Sequence, residues 1–129
     1  MTKKLKRKTL IGRFQLGQVS VDLVAVRDGG GGGGTFTTIN SHNKPEIVVN
    51  IDDSWEGCCG TLVHEAFEAA ALMSGVTYQP EKYNIVAVPS LMRTFLMTHM
   101  EFSVIAEYAG RFVAESVEGL KKEWQKGKK

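Results

Sequence analysis

The stretch Thr61-Leu62-Val63-His64-Glu65-Ala66-Phe67-Glu68 decides how this chain is interpreted, because it places a histidine and two glutamates at helical spacing. On an α-helix, residues four apart point the same way, so His64 and Glu68 can bind one metal ion from one face. Glu65 lies about 100° around the helix from His64, within reach of a water held by that ion. The stretch therefore predicts a helix with two metal ligands, His64 and Glu68, and a general base, Glu65.

The rest of this predicted helix divides into an open side and an apolar side. Small residues share the side of His64 and Glu68 and leave room for an ion and a substrate: Gly57, Gly60, Thr61 and Ala71. The opposite side is predicted to face the core: Leu62, Val63, Phe67, Ala70 and Met73. A solvated helix face can carry the same three polar residues, and it is the division into two sides that favours a metal site.

The composition is that of one globular domain. The 129 residues are 43% hydrophobic and 23% charged, which is enough to form one compact core. No apolar run is long enough to span a bilayer, and the N-terminal residues lack the apolar segment of a secretory signal. Cys58 and Cys59 are adjacent and are not expected to pair, and they lie almost two turns before His64. We therefore expect a cytoplasmic protein without disulfides.

Positive charge is concentrated at the two ends of the chain. Residues 1–8 and 121–129 each hold five Lys or Arg, whereas residues 9–120 hold six of these bases and thirteen of the fourteen acids. Basic ends can contact nucleic acid or anionic surfaces, but no nucleic-acid-binding motif accompanies them. We therefore expect two solubilising tails, 1–8 and 121–129, around a single domain at 9–120, and no nucleic-acid partner.

Residues 9–16 and 18–27 are predicted to be two strands that turn at Gly17, because their apolar residues recur with a period close to two. Six glycines follow at 29–34. A run so rich in glycine is predicted to be a flexible loop tip. It is not a phosphate-binding loop, since no Lys-Ser or Lys-Thr follows it.

Two further strands, Thr35 to Asn40 and Glu46 to Ile51, are predicted to form a hairpin around a polar turn. His42 lies in that turn and is expected to be an exposed loop histidine. The motif helix should begin at Asp53, with Glu56 completing a capping box.

The motif helix should end near Ser74, before Gly75. Residues 76–90 are predicted to be irregular, with a short strand possible at 84–88 and another at 92–97. A second capping box, Thr98 with Glu101, opens a final helix. Its apolar stripe recurs at helical spacing: Phe102, Ile105, Ala106, Ala109, Phe112, Val113, Val117, Leu120 and Trp124. The predicted fold is α+β, with a small antiparallel or mixed sheet of about four strands packed against the motif helix and a long C-terminal helix.

The metal site needs a third donor, and His99 is the first choice. By helical geometry it lies about 60° from Phe102 and about 20° from Ala106, so it is predicted to point inward. Glu107, about 80° from His99, is the second choice. Glu101 lies on the far side of the helix and serves the cap.

The order of a strand hairpin, a capped helix with His-Glu and a C-terminal helix resembles the small zincin-like metallopeptidases, which are often found in phages and mobile elements. The resemblance covers residues 35–120. It depends on the strand Glu46–Ile51 and on the apolar-apolar-His-Glu sequence of Leu62 to Glu65. It implies that His64 is a zinc ligand, Glu65 the general base and His99 the third ligand. Glu68 stands where the family usually has histidine, and a carboxylate there also suits a harder metal such as manganese.

The first interpretation is therefore a zinc-dependent, metallopeptidase-like hydrolase acting on a peptide or protein, with the strand at 35–40 pairing with an extended substrate. The alternative is a non-catalytic binding or inhibitor protein on the same scaffold, acting on a host protein. A third interpretation is a structural protein that associates through its basic tails. The sequence predicts no oligomeric state.

Overall fold

The computed structural model describes residues 7–27, 32–74 and 99–127. Within these ranges the chain forms the strands β1 (Arg7–Leu16), β2 (Val19–Arg27), β3 (Gly34–Thr37) and β4 (Glu46–Asn50), followed by the helices α1 (Trp55–Met73) and α2 (His99–Lys126). The predicted α+β class is confirmed. The predictions for residues 76–90 and 92–97, and the cap at Thr98, lie outside the described residues.

The four strands form one mixed sheet in the order β1-β2-β4-β3. β1 and β2 are an antiparallel hairpin that turns at Gly17, whose φ of +64° is a conformation that glycine adopts without strain. β3 and β4 are also antiparallel, as predicted, whereas β2 and β4 run parallel. Among the described strands, β3 therefore lies at the edge of the sheet, and it lies beside α1.

Both helices contribute to a single core against the sheet. Val21, Leu23 and Ala25 alternate along β2 and join the buried residues of β4 and the helices. Phe112 of α2 is fully buried and meets Phe14 of β1 edge to face, with ring centroids 5.9 Å apart. This core fixes the position of α1 relative to the edge strand β3.

The N-terminus of α1 differs from the prediction by one residue. Ser54, not Asp53, is the N-cap, and its Oγ accepts a hydrogen bond from the backbone N–H of Gly57 at 3.0 Å. Asp53 instead accepts from the N–H of Ser54 through Oδ1. With the cap shifted, Glu56 is no longer in the position of the reciprocal partner, so the predicted capping box does not form. The predicted end at Ser74 is confirmed.

Four of the nine residues in the predicted stripe of α2 are buried: Ile105, Ala109, Phe112 and Leu120. Val113, Val117 and Trp124 are partly buried. Ala106 was predicted wrongly: it is exposed between the buried Ile105 and Ala109, so it lies outside the buried stripe. Phe102 was also predicted wrongly: it lies in the first turn and keeps 48% of its surface exposed, although its ring contacts Phe67.

The C-terminal end of α2 is anchored well past residue 120, where the domain was predicted to end. The Trp124 indole N–H donates to the carbonyl of Asp53 at 2.9 Å, and its ring lies 5.7 Å from that of Trp55. The Arg27 guanidinium donates to the carbonyls of Glu123 and Trp124 at the end of the helix, where the Trp124 carbonyl also accepts from the N–H of Gly127 at 3.3 Å. Residues 121–126 therefore belong to the folded helix rather than to a tail.

No helix among the described residues is long and apolar enough to cross a membrane. Neither cysteine forms a disulfide; Cys58 is buried and Cys59 is partly buried.

Candidate metal site

Three side chains of α1 come together as potential metal donors: His64, Glu65 and Glu68. His64 Nε2 lies 3.2 Å from Glu68 Oε2 and 4.0 Å from Glu65 Oε1, and one donor atom from each residue lies within 4.8 Å of the others. The His64 side chain is 69% exposed, whereas that of Glu65 is 10% exposed. The cluster thus extends from the protein surface to a nearly buried carboxylate.

The small residues beside the cluster open a cavity of about 480 Å³, which matches the predicted open side of the helix. It is lined by glycines and by Thr61 together with two of the donors: Gly33, Gly34, Gly57, Gly60, Thr61, His64 and Glu65. Ala71 was assigned to this side but is fully buried. Val63 was assigned to the core side but is 50% exposed, so the buried face of α1 is rotated from its predicted position toward Glu65.

The last glycines of the glycine run form the opposite wall of this cavity. Gly34 is the first residue of β3 and is partly buried against α1, contrary to the prediction that the whole run is a loop tip. A Cβ at Gly34 would overlap the carbonyl oxygen of Val48 and lie 2.7 Å from Thr61 Cγ2. The position of the glycine run directly before a predicted strand could have indicated close packing. Glycine content alone, however, does not distinguish a mobile loop from a close approach of two elements.

Replacing Gly34 by alanine should push β3 away from α1, because backbone and a β-branched side chain block the added methyl group. We expect a loss of about 1–3 kcal/mol in the free energy of unfolding. Gly60→Ala is the matched control on the same cavity. A Cβ there meets nothing within 4 Å, and alanine should stabilise the helix by about 0.5–1 kcal/mol. Urea unfolding of both variants tests this, and equal stability of the two would contradict the close approach.

Burial raises the pKa of the Glu65 carboxyl above its ordinary value, and the negative charge of Glu68 adds to this effect while His64 opposes it. Of the three donors in the cluster, Glu65 alone is buried. This raised pKa describes the cluster without an ion, because a cation bound beside Glu65 would favour the charged carboxylate and lower the pKa again.

His99 does not join the cluster. It is the exposed first residue of α2, so the prediction that it points inward is wrong, and the donor group found among the described residues does not include it. Glu107 is likewise exposed and outside the group. The prediction took the helical phase from Phe102 and Ala106, which are themselves exposed. His42 is exposed in the loop before β4, as predicted.

Comparisons with known proteins found no matching family model, no matching characterised protein and no matching solved structure.

Proposed function

We propose that this protein is a metal-dependent hydrolase that binds zinc through His64 and Glu68 and uses Glu65 as its general base. The observation that carries the proposal is the approach of three potential donors to one another at the wall of an open cavity. A cavity of this kind gives water and substrate access to an ion held at His64.

The separation of the two proposed ligands fits a zinc ion. Nitrogen and carboxylate ligands lie about 2.0–2.2 Å from zinc in tetrahedral geometry, so two such donors are about 3.4 Å apart. The observed distance between His64 Nε2 and Glu68 Oε2 is 3.2 Å. One neutral imidazole with one carboxylate also suits manganese, which accepts oxygen ligands more readily. A bound divalent ion would supply a water of lowered pKa.

Glu65 is placed to accept the proton of such a water. Its Oε1 lies 4.0 Å from His64 Nε2, on the cavity side of the cluster. A cation bound beside it would favour the charged carboxylate of Glu65, and in that form the side chain can accept a proton from water. Glu65 would then return the proton to the leaving group.

The edge strand β3 supports a peptide as the substrate. Gly33 and Gly34 line the same cavity as His64 and Glu65, and β3 pairs with β4 along one of its two sides. An extended peptide can add to the other side of an edge strand through main-chain hydrogen bonds. A peptide bound in this way would run past the donor cluster.

Glu65→Gln tests the catalytic assignment, because the amide keeps the size of the side chain but cannot accept a proton as a carboxylate does. We expect both the variant and the unmodified protein to bind about one zinc ion in a calorimetric titration, and we expect the peptidase rate of the variant to be at least about 100-fold lower. Cleavage of a mixed peptide library, followed by mass spectrometry, measures the rate. If the unmodified protein binds zinc but cleaves no peptide, the result favours the interpretation as a non-catalytic binding protein. The same conclusion follows if Glu65→Gln keeps the full biological effect of the protein.

The same variant has a second expected effect, on the stability of the metal-free protein. Because folding raises the pKa of Glu65, its contribution to stability is full below its unfolded value near 4.5 and is lost as the pH rises through the folded value. Removing the buried charge should therefore raise the melting temperature at pH 7 by roughly 4 °C, for about 1 kcal/mol, and have little effect at pH 4. Calorimetric melts at both pH values, with EDTA present, measure this difference.

A further inference from the structure

The fold brings the two basic ends of the chain to one end of the molecule. Arg7, at the start of β1, is paired in register with Arg27 at the end of β2. Arg27 in turn donates to the carbonyls of Glu123 and Trp124 in the last turns of α2. The Arg27 guanidinium thus connects residues that are 96 and 97 positions apart in sequence, and strand pairing places Arg7 beside Arg27.

We call this region the basic end and define it by its described cations: Arg7, Lys8, Arg27, Lys121, Lys122 and Lys126. All of them except Arg27 are exposed. Lys3, Lys4 and Lys6 precede it directly in sequence, and Lys128 and Lys129 follow it.

Nearby acids reduce this charge without cancelling it. Glu123 pairs with Lys126 at 3.1 Å, and the start of α1 contributes Asp52, Asp53 and Glu56. Eleven of the sixteen Lys and Arg residues belong to the basic end or to its adjoining segments, so the remainder of the protein is acidic. The fold therefore separates charge strongly, in a chain whose net charge is only +2.

The arrangement is unsuited to a small anion. Arg7, Lys8 and Arg27 line a cavity of about 300 Å³, but Glu123 lines it too. The Arg27 guanidinium is already bound to carbonyls at the C-terminal end of a helix, where the helix dipole repels anions. The remaining positive charge lies on the outside, on Arg7 and Lys8 of β1 and on Lys121 and Lys122 of α2. Charge spread over two elements in this way suits a ligand with repeated negative charges.

The distribution of apolar residues argues against a membrane surface as that ligand. Surface-binding helices combine basic residues with exposed apolar ones. Here the exposed Met100, Phe102 and Val104 lie at the start of α2, about 27–33 Å along the helix from Lys122 at 1.5 Å per residue. Near Lys8, by contrast, the closest exposed large apolar residue in sequence is a single side chain, that of Leu10 on β1.

We propose that the basic end binds the phosphate backbone of nucleic acid without reading its sequence. From the tails taken separately we expected no nucleic-acid partner, and the proposal replaces that expectation with one drawn from the described cations of the basic end. About four phosphate contacts would make the affinity for duplex DNA fall roughly 150-fold between 50 and 200 mM salt, since the slope is about −0.9 per contact. The affinity should differ little between unrelated sequences.

Fluorescence anisotropy of a labelled 30-base-pair duplex of mixed sequence, titrated with the full chain in EDTA, tests the proposal. EDTA separates it from the metal site, so neither result depends on the other. Lys8→Glu with Lys122→Glu should weaken binding at least 10-fold. Lys44→Glu with Arg111→Glu is the control, because these exposed residues lie away from the basic end and give the same change in net charge. This control should change binding less than 2-fold.

Circular dichroism establishes that each variant is folded, and Lys8→Gln with Lys122→Gln provides a milder second pair that should weaken binding about 3-fold or more. Absence of binding at 50 mM salt would overturn the proposal, and so would equal losses in the two charge-reversed pairs. Vesicles containing phosphatidylserine are the comparison ligand. Binding to these vesicles without binding to the duplex would assign the basic end to membranes instead.

Discussion

His64→Ala is expected to weaken zinc binding by at least about 100-fold, which corresponds to about 2.7 kcal/mol. His64 supplies the one nitrogen donor of the cluster, and its Nε2 lies within 4.0 Å of both glutamates. Without it, two neighbouring carboxylates remain, and one of them is nearly buried with a raised pKa. Carboxylates alone are a poor set of ligands for zinc, which binds nitrogen and sulfur donors more readily.

The chain provides its own controls for this experiment, because it has three histidines. His42→Ala and His99→Ala remove exposed imidazoles outside the donor cluster and should leave the zinc affinity within about 2-fold. Calorimetric titration of all three variants compares them directly. A large loss for His99→Ala would restore the third ligand expected from the family resemblance, and an unchanged affinity for His64→Ala would remove the site.

Phe112→Ala is expected to have the largest effect on stability, about 3–5 kcal/mol. The Phe112 ring is fully buried and packs edge to face on Phe14, so its loss leaves a cavity between α2 and the hairpin of β1 and β2. For a domain with a total stability of about 5–15 kcal/mol, this is a large fraction. Urea unfolding followed by circular dichroism gives the difference.

Phe102→Ala, on the same helix, is the control. It separates the effect of burial on stability from the effect of removing any aromatic ring. Phe102 also contacts another ring, that of Phe67, but keeps 48% of its surface exposed. We expect this variant to lose about 1 kcal/mol or less. Similar losses for both variants would mean that the core does not centre on Phe112.

Features governed by neighbours in sequence were predicted well. The two hairpins depend on Gly17 and on the polar turn before β4, and the end of α1 depends on the change of pattern at Ser74. The parallel pairing of β2 with β4 was not predicted, because no local residue pattern specifies which hairpin strands meet. It is set by the buried faces of both strands and by the helices that cover them.

The same distinction applies to the candidate site: the contact within one helix was predicted correctly, and the contact between two helices was not. The spacing of four residues is enough to bring His64 and Glu68 together, since both belong to one helix. The third ligand required the rotation and position of a second helix, and small errors there moved His99 from the predicted interior to the surface. The role of Gly34 was missed because close backbone approach is a property of two elements packed together, which composition does not report.

All three donors of the cluster belong to one continuous helix, with Glu68 one turn after His64 and Glu65. Chelation is therefore coupled to helix formation in a short segment more than to assembly of the whole domain. A denatured chain with residual helical structure would retain some affinity for the ion. Added metal would then raise the melting temperature by less than its affinity for the native state implies, because ligands that also bind the denatured ensemble shift the equilibrium less.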